Sequence, residues 1–236
     1  MPLSTHRRAF FRGMRDGAPF LIVIVPFGML FGVVAREAGW DMAQILGMSV
    51  LVIAGASQFT ALQLMQDHAP TFIVILTATV VNLRHAMYSA SLAPHLGPLP
   101  LWKRALVAYA LVDQTYGSAM HRYALAPGLS PAEKAAVFFG CATQTCIVWY
   151  AATVAGALLG SGLPPALALD FAVPIAFIAI FAPALRSLPH LAAALVSVVV
   201  ALLLASLPYG LGLIAAAMLA MLAGAAVELA LERRRP

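Results

Sequence analysis

The stretch TFIVILTATVVNLRHAMYSASLAPHL, from Thr71 to Leu96, is apolar on both sides of Asn82-Leu83-Arg84-His85. An arginine at the centre of an isolated transmembrane helix costs roughly 2.5–3.5 kcal/mol on insertion scales. A chain that retains one there pairs it, wets it or uses it along a solute path. On a helical wheel Asn82, His85 and Ser89 form one stripe and Arg84, Tyr88 and Ser91 another, with Leu83, Ala86, Met87 and Ala90 between them. A helix that is polar on two faces is expected to sit at the centre of a bundle, surrounded by protein or water.

The rest of the chain agrees with a lipid solvent. Of 236 residues, 62% are hydrophobic and only 10% charged, whereas apolar residues make up about half of ordinary soluble domains. The net charge of +5 does not form a soluble basic patch interleaved with aromatics, so a nucleic-acid partner is not expected. Its cations lie mostly at the ends: Arg7, Arg8, Arg12 and Arg15, then Arg233, Arg234 and Arg235. Positive flanks of this kind stay in the cytoplasm, which predicts both termini inside and an even number of crossings of a bacterial inner membrane. The first 17 residues lack the apolar core of a cleavable signal. They read either as a short in-plane helix, with Phe10, Phe11 and Met14 among the arginines, or as a flexible basic tail. Cys141 and Cys146, five apart in one apolar helix, are too far apart for an undistorted disulfide, and no ligand spacing suggests a metal or other cofactor.

These features predict an all-α fold, a polytopic transmembrane bundle of about eight hydrophobic segments. They lie near 18–37, 43–65, 70–94, 101–122, 133–159, 167–185, 189–207 and 210–231, each near the ~20 residues that span a bilayer. Residues 1–236 read as one integral membrane transporter domain, with a basic cytoplasmic segment at 1–17 and a basic tail at 232–236. Strict alternation would place Lys103 and Arg104 outside, against the positive-inside tendency; a re-entrant or broken second segment relieves that conflict. Pro26 is expected to interrupt the first segment, and Pro174 and Pro183 the sixth. Val25-Pro26-Phe27…Arg36 is faintly echoed by Val173-Pro174-Ile175…Arg186, as in transporters with repeated halves. Gly28 and Gly32, and Gly156 and Gly160, have small-xxx-small spacing, which reads first as internal packing and second as subunit association.

The polar residues within lipid-like sequence are the candidate site. Asp113, followed by Gln114, Thr115 and Tyr116, lies near the middle of the fourth segment, at a depth similar to Arg84. The two either form a structural ion pair or bind opposite ends of a zwitterion. His85 is a candidate proton carrier, as is Asp113; a histidine bonded to a backbone carbonyl is the alternative. Ala54-Gly55-Ala56-Ser57-Gln58-Phe59 places small residues before a mid-membrane glutamine, fitting either backbone exposed to a ligand carboxylate or a tight helix crossing. Phe59 and Met87 are candidates for an apolar pocket. Thr143-Gln144-Thr145 adds a polar patch, and Asp170 reads as a helix cap. Trp40 and Trp102 fit an interfacial belt, whereas Trp149 does not. No hydrolytic motif occurs, so the chain is not expected to be an enzyme; Ser57, His85 and Asp113 keep an intramembrane enzyme as the weakest alternative.

At these residues the chain resembles the AzlC family, the large subunit of bacterial branched-chain amino acid exporters. The stretches that carry the resemblance are Val52 to Phe59, Val81 to Tyr88 with Ser91-Leu92-Ala93-Pro94, Leu111 to Tyr116, and Leu169 to Pro174. The family commonly has an acidic residue directly after its motif aspartate, where this chain has Gln114. The resemblance implies a secondary transporter that exports valine, leucine, isoleucine and methionine, working with a small AzlD-like membrane subunit. Residues assigned to substrate on this combined reading are Gly55, Ser57, Gln58, Asn82, Arg84, Tyr88, Asp113, Gln114 and Thr115. A non-transporting accessory subunit is the main alternative.

Overall fold

The computed structural model describes residues 5–160, 185, 187–207 and 211–233, and every regular element among them is helical. The helices are α1 (Thr5–Gly17), α2 (Leu21–Glu37), α3 (Met42–Leu51), α4 (Gly55–Gln66), α5 (Thr71–Val81), α6 (Arg84–Leu96), α7 (Leu101–Tyr109), α8 (Asp113–Leu125), α9 (Pro131–Gly160), α10 (Leu188–Leu203) and α11 (Leu211–Glu232). The described residues group into two compact units, one from Met1–Phe59 and Val81–Leu167, the other from Thr60–Val80 and Ala168–Pro236. The sixth hydrophobic segment, with Pro174, Pro183, Asp170 and the second half of the sequence echo, lies outside the described residues.

The first unit is built on two long helical runs packed through glycine. A Cβ on Gly13 would meet the Val137 carbonyl, one on Gly17 the Cys141 thiol, and one on Gly32 the Thr153 carbonyl. From the other side, Gly140 lies against Phe10, Gly156 against Met29 and Gly160 against Val33. The paired numbers rise together, so Thr5–Glu37 and α9 run parallel. Both glycine pairs of the sequence therefore serve internal packing, where the missing side chains let two backbones approach closely. The basic N-terminus is not a loose tail: α1 buries Ala9, Gly13 and Gly17 on α9 while its arginines stay exposed. Nor does Pro26 break the first segment. It lies inside α2, and the irregular turn falls at Ala18–Phe20.

The expected fourth span is a hairpin. Trp102 and Lys103, in the first turn of α7, line one cavity with His6, Ala132 and Ala135, at the end where α1 and α9 begin. Further along, Tyr109 Oη reaches Tyr150 Oη at 3.1 Å. After the break at Ala110-Leu111-Val112 the chain returns. The Cys141 thiol donates to the Gln114 carbonyl at 3.8 Å, and Tyr123 Oη donates to the Lys134 carbonyl at 2.8 Å. Arg122 closes a two-point ion pair on Asp16 at 2.7 and 2.6 Å. So α7 runs with α9, α8 runs against it, and both outer ends sit at the basic end. Cys141 is ten residues beyond Pro131, about 15 Å along the helix, so the return arm begins part-way along α9. Lys103 thus joins the basic end, and the charge conflict disappears.

The second segment is also interrupted, at Val52-Ile53-Ala54. Asp41 and Gln44 form a capping box that starts α3, just after a turn in which Gly39 takes φ +85°. Beyond the break, Gly55 lies against the Phe27 ring and Phe59 reaches Phe31 (centroids 5.5 Å apart), so the first turn of α4 heads back toward the end where α2 stops. A 3.3 Å bond from Gln58 Nε2 to Ser49 Oγ holds the two arms together. The third segment breaks at Asn82-Leu83 into α5 and α6, and α6 ends beside α9, with His95 Nδ1 3.2 Å from Lys134 Nζ. Between Glu37 and Leu96 the chain therefore makes one net passage. Helices of 10, 12, 11 and 13 residues are each about half the length a span requires. Segments 43–65 and 101–122 are thus pairs of half-helices, and the strict eight-crossing alternation is replaced. Among the described residues, three helical runs are long and apolar enough to cross, and the bent α5–α6 pair makes a fourth.

In the second unit α10 and α11 pair antiparallel, with Gly224 against Ala193 and Pro189, and Gly212 beside the Leu204 carbonyl.

The glycine rail yields a test. Gly156→Leu would drive a side chain into the Met29 backbone, and overpacking costs about 1–3 kcal/mol or more where backbone must move. The expected result is a lower melting temperature and loss of monodispersity in detergent. Gly47→Ala, with nothing within 4 Å of an added Cβ, should melt at or above the wild-type temperature.

Candidate functional site

Three helix starts converge where the breaks meet. Asn82 Nδ2 donates to Ser57 Oγ at 3.0 Å, tying the α5–α6 break to the first turn of α4. Arg84, the first residue of α6, pairs with Asp113, the first residue of α8, at 3.0 Å. Tyr109 Oη donates to the Val50 carbonyl at 2.6 Å, joining the tips of α7 and α3. The starts of α4 and α8 carry unpaired N–H groups equivalent to about +0.5 charge each, whereas at the start of α6 the His85 and Ala86 amides already donate to the carbonyls of Asn82 and Leu83. Asp113, in the first turn of α8, answers the positive end of its own helix and the Arg84 guanidinium.

The pair is accessible. The side chains of Arg84 and Asp113 are 26% and 44% exposed. Asp113 Oδ1 also accepts from Tyr88 Oη at 2.8 Å. The Tyr88 ring stacks on Tyr116 at 4.2 Å between centroids, and Tyr116 Oη donates to Ser91 Oγ at 3.0 Å. The His85 ring lies 6.1 Å from that of Tyr88. Around this cluster Gln58 Oε1, Asn82 Oδ1, Arg84 Nε and His85 Nε2 are buried without a hydrogen-bond partner. Buried polar atoms of this kind are ordinarily satisfied by water or ligand.

Other sequence candidates have different roles. Thr115 is fully buried, and its hydroxyl accepts from Val112 N and shares its one proton between the carbonyls of Ala110 and Val112, which secures the hairpin tip. Gln114 is joined through its backbone carbonyl to Cys141 rather than into the charge pair. Gly55 is confined by rings: an added Cβ would lie 2.6 Å from Phe27 and 2.9 Å from Trp149. A larger residue there would disturb packing whether or not the segment binds solute. Trp149 is correspondingly buried, with no role in a belt. Phe59 is buried in the same aromatic cluster, 5.0 Å from Phe27, but Met87 is 68% exposed. The expected central third helix is also corrected. Because the chain breaks at Asn82-Leu83, the wheel joins two helices, and Leu83, Ala86, Met87 and Ala90 form an exposed face of the described structure. The Ser57 hydroxyl donates to the Ala54 carbonyl and accepts from Asn82, so it lacks the contact with His85 that a nucleophile and its base require.

Ser49, Tyr109 and the Asp16–Arg122 pair were absent from the sequence-derived site. Only the last had a signal, a lone acid at the start of an apolar run.

The chain matches the family described as AzlC protein over residues 19–163. It belongs to the AzlC family. It is 30% identical over 174 residues to the inner membrane protein YgaZ of Escherichia coli (strain K12), covering 71% of this chain and 70% of that one. An uncharacterized membrane protein of Archaeoglobus fulgidus is 29% identical over 188 residues, covering 78% and 80%. One from Helicobacter pylori (strain ATCC 700392 / 26695) is 27% identical over 177 residues, covering 73% and 75%. No solved structure matches. This AzlC chain is accordingly a membrane protein, with a helical fold to suit.

The charge pair is tested by a double-mutant cycle. Arg84→Ala and Asp113→Ala should each destabilise the protein by leaving a charge unpaired, and the double variant should be no worse than either. Coupling of about 0.5–3 kcal/mol is expected for residues in contact; additive losses would show the two charges to be independent.

Proposed function

We propose that this AzlC protein is a secondary transporter that exports branched-chain amino acids, coupled to protons and working with a small AzlD-like membrane subunit. The observation that carries this reading is the accessible Arg84–Asp113 pair held between the first turns of two half-helices. An amino acid is a zwitterion, and each end has a counterpart here. Its carboxylate would be met by Arg84 and by the N–H groups at the start of α4, as anions are at other helix N-termini. Its ammonium would be met by Asp113, with Tyr88 holding the second carboxylate oxygen. Substrate would thus exchange one ion pair for two, so the charges never stand alone in low dielectric. Gln58 and Asn82 retain acceptor oxygens for the ammonium or for water. His85 and Asp113 are the candidates for proton coupling.

The basic end, with Arg7, Arg8, Arg12, Arg15 and Lys103, is assigned to the cytoplasm by the positive-inside tendency, which puts the N-terminus inside a bacterial inner membrane. The tail beginning at Arg233 is assigned to the same side on its own charge. If the pair were purely structural, the chain would instead be an accessory subunit without flux of its own.

Uptake and efflux in proteoliposomes, with and without the small subunit and under an imposed proton gradient, separate these readings. Each methylene buried adds about 0.8 kcal/mol, so leucine should outcompete alanine by roughly one to two orders of magnitude. Lysine should be rejected more strongly, because its extra charge would be buried unpaired. Alanine or lysine competing as well as leucine would overturn the assigned site.

A further inference from the structure

The helix α1 buries Ala9, Gly13 and Gly17 on α9 and turns a basic face the other way. Phe11, Arg12 and Arg15 follow Arg8 at spacings that place all four on one side of a helix, and all four are exposed. The one acid in α1, Asp16, lies a turn beyond Arg12 and within its reach, yet it is held by Arg122 at 2.7 and 2.6 Å. Among the described residues, Arg8, Arg12 and Arg15 therefore have no acidic partner. Phe11 stands among them with 52% of its surface exposed, although an aromatic ring gains from burial. The depth of this face follows from the span beside it. No charged residue occurs between Asp16 and Arg36. As helix, the stretch from Gly17 to Ala35 is about 28 Å long, close to the ~30 Å of a bilayer's hydrocarbon. Because α1 packs alongside α9 and does not lie flat, Arg15 stands at the hydrocarbon edge, with Arg12 about 5 Å and Arg8 about 10 Å further out.

We propose that this face of α1 binds the headgroups of anionic phospholipids in the leaflet at the basic end. The chemistry is matched at both ends of the lipid's polar region. A guanidinium presents paired N–H groups to two phosphate oxygens, and the negative surface of such a leaflet draws basic residues that flank a span. Phe11, between Arg8 and Arg15, is at the level of the glycerol and the first acyl carbons, where an aromatic side chain is covered by lipid. A soluble polyanion fits less well, because Arg15 stands against hydrocarbon and a solute has no apolar part to cover Phe11. The glycine contacts with α9 hold α1 upright, so the arginines form a ladder through the headgroup layer before any lipid arrives. Lipid phosphate on Arg12 and Arg15 also leaves Asp16 to Arg122, the pair that anchors the return arm of the hairpin. Bound lipid therefore stabilises the first unit, and it does so whether or not the chain moves a solute.

The test uses the full-length chain in nanodiscs of equal parts phosphatidylglycerol and phosphatidylcholine. A photoreactive benzoylphenylalanine replaces Phe11 or, as the lipid-facing reference, Ile22, which is 81% exposed on α2. After irradiation the adducts are identified by mass spectrometry. Phosphatidylglycerol should exceed phosphatidylcholine by about threefold or more at Phe11, and the two should be equal at Ile22. Equal adducts at Phe11, or adducts with protein in place of lipid, overturn the proposal. As a second measurement, the melting temperature is followed in detergent with phosphatidylglycerol, phosphatidylcholine or inorganic phosphate added. Phosphatidylglycerol alone should raise it for the wild type, and salt should shrink the rise. The triple variant Arg8→Gln, Arg12→Gln, Arg15→Gln should lose the rise, whereas Arg233→Gln, Arg234→Gln, Arg235→Gln, with the same change in charge, should keep it. An equal rise with inorganic phosphate would assign the face to free anions. An unchanged rise in the first variant would place the lipid elsewhere, and an equal loss in both would make it an effect of net charge; each of these results overturns the proposal. The cross-linking measurement leaves every arginine in place, so it decides the question even where the first variant inserts poorly.

Discussion

A helix that stops inside a bilayer has no water to satisfy its last backbone groups, and each one left bare costs several kcal/mol. This protein stops and restarts its chain at Val52–Ala54, at Asn82-Leu83 and at Ala110–Val112, so the rest of the first unit is arranged around those breaks. Thr115 turns its hydroxyl onto the backbone of the third, Ser57 onto that of the first, and Asn82 bridges from the second to Ser57. Arg84 and Asp113 then join two helix starts through one ion pair. The same requirement that forces the ends to be capped also concentrates positive field and unmet polar atoms in one place. On the proposed transport reading, stability and solute recognition would draw on the same residues, and a substitution at the site is expected to affect both.

The long helices provide the frame. Glycines on both sides bring Thr5–Glu37 and α9 into backbone contact, leaving a rigid parallel pair against which shorter helices can end without collapsing. The Asp16–Arg122 pair anchors the return arm of the α7–α8 hairpin to this frame at the basic end. The tip, at the depth of Cys141, is thereby held near the middle of the unit.

Much of this was legible in sequence because membrane charges and clustered small residues are rare and therefore informative. Arg84, Asp113 and the Gly55–Gln58 segment were legible as one polar centre, and the glycine spacing already suggested internal packing. Three things were not legible. Hydropathy cannot distinguish one 22-residue span from two half-helices folded back, since both bury the same residue types; the hairpin appears only in contacts such as Tyr123 with Lys134. A wheel drawn across Asn82 assumes an unbroken helix, and the break moves Met87 from a candidate pocket to an exposed face. Finally, partners such as Tyr109 with Val50 lie 59 residues apart, and nothing local in either segment encodes that pairing.

The central claim is that residues 101–125 enter and leave the membrane at one end, which places Asp113 at the tip of a hairpin. Side-specific labelling with a membrane-impermeant thiol reagent tests it directly, using Pro98→Cys before α7, Gly128→Cys after α8 and Glu37→Cys at the end of α2. The account predicts that the first two react from the same side and the third from the opposite side. Reaction of Pro98→Cys and Gly128→Cys from opposite sides would make the segment an ordinary span and contradict the account.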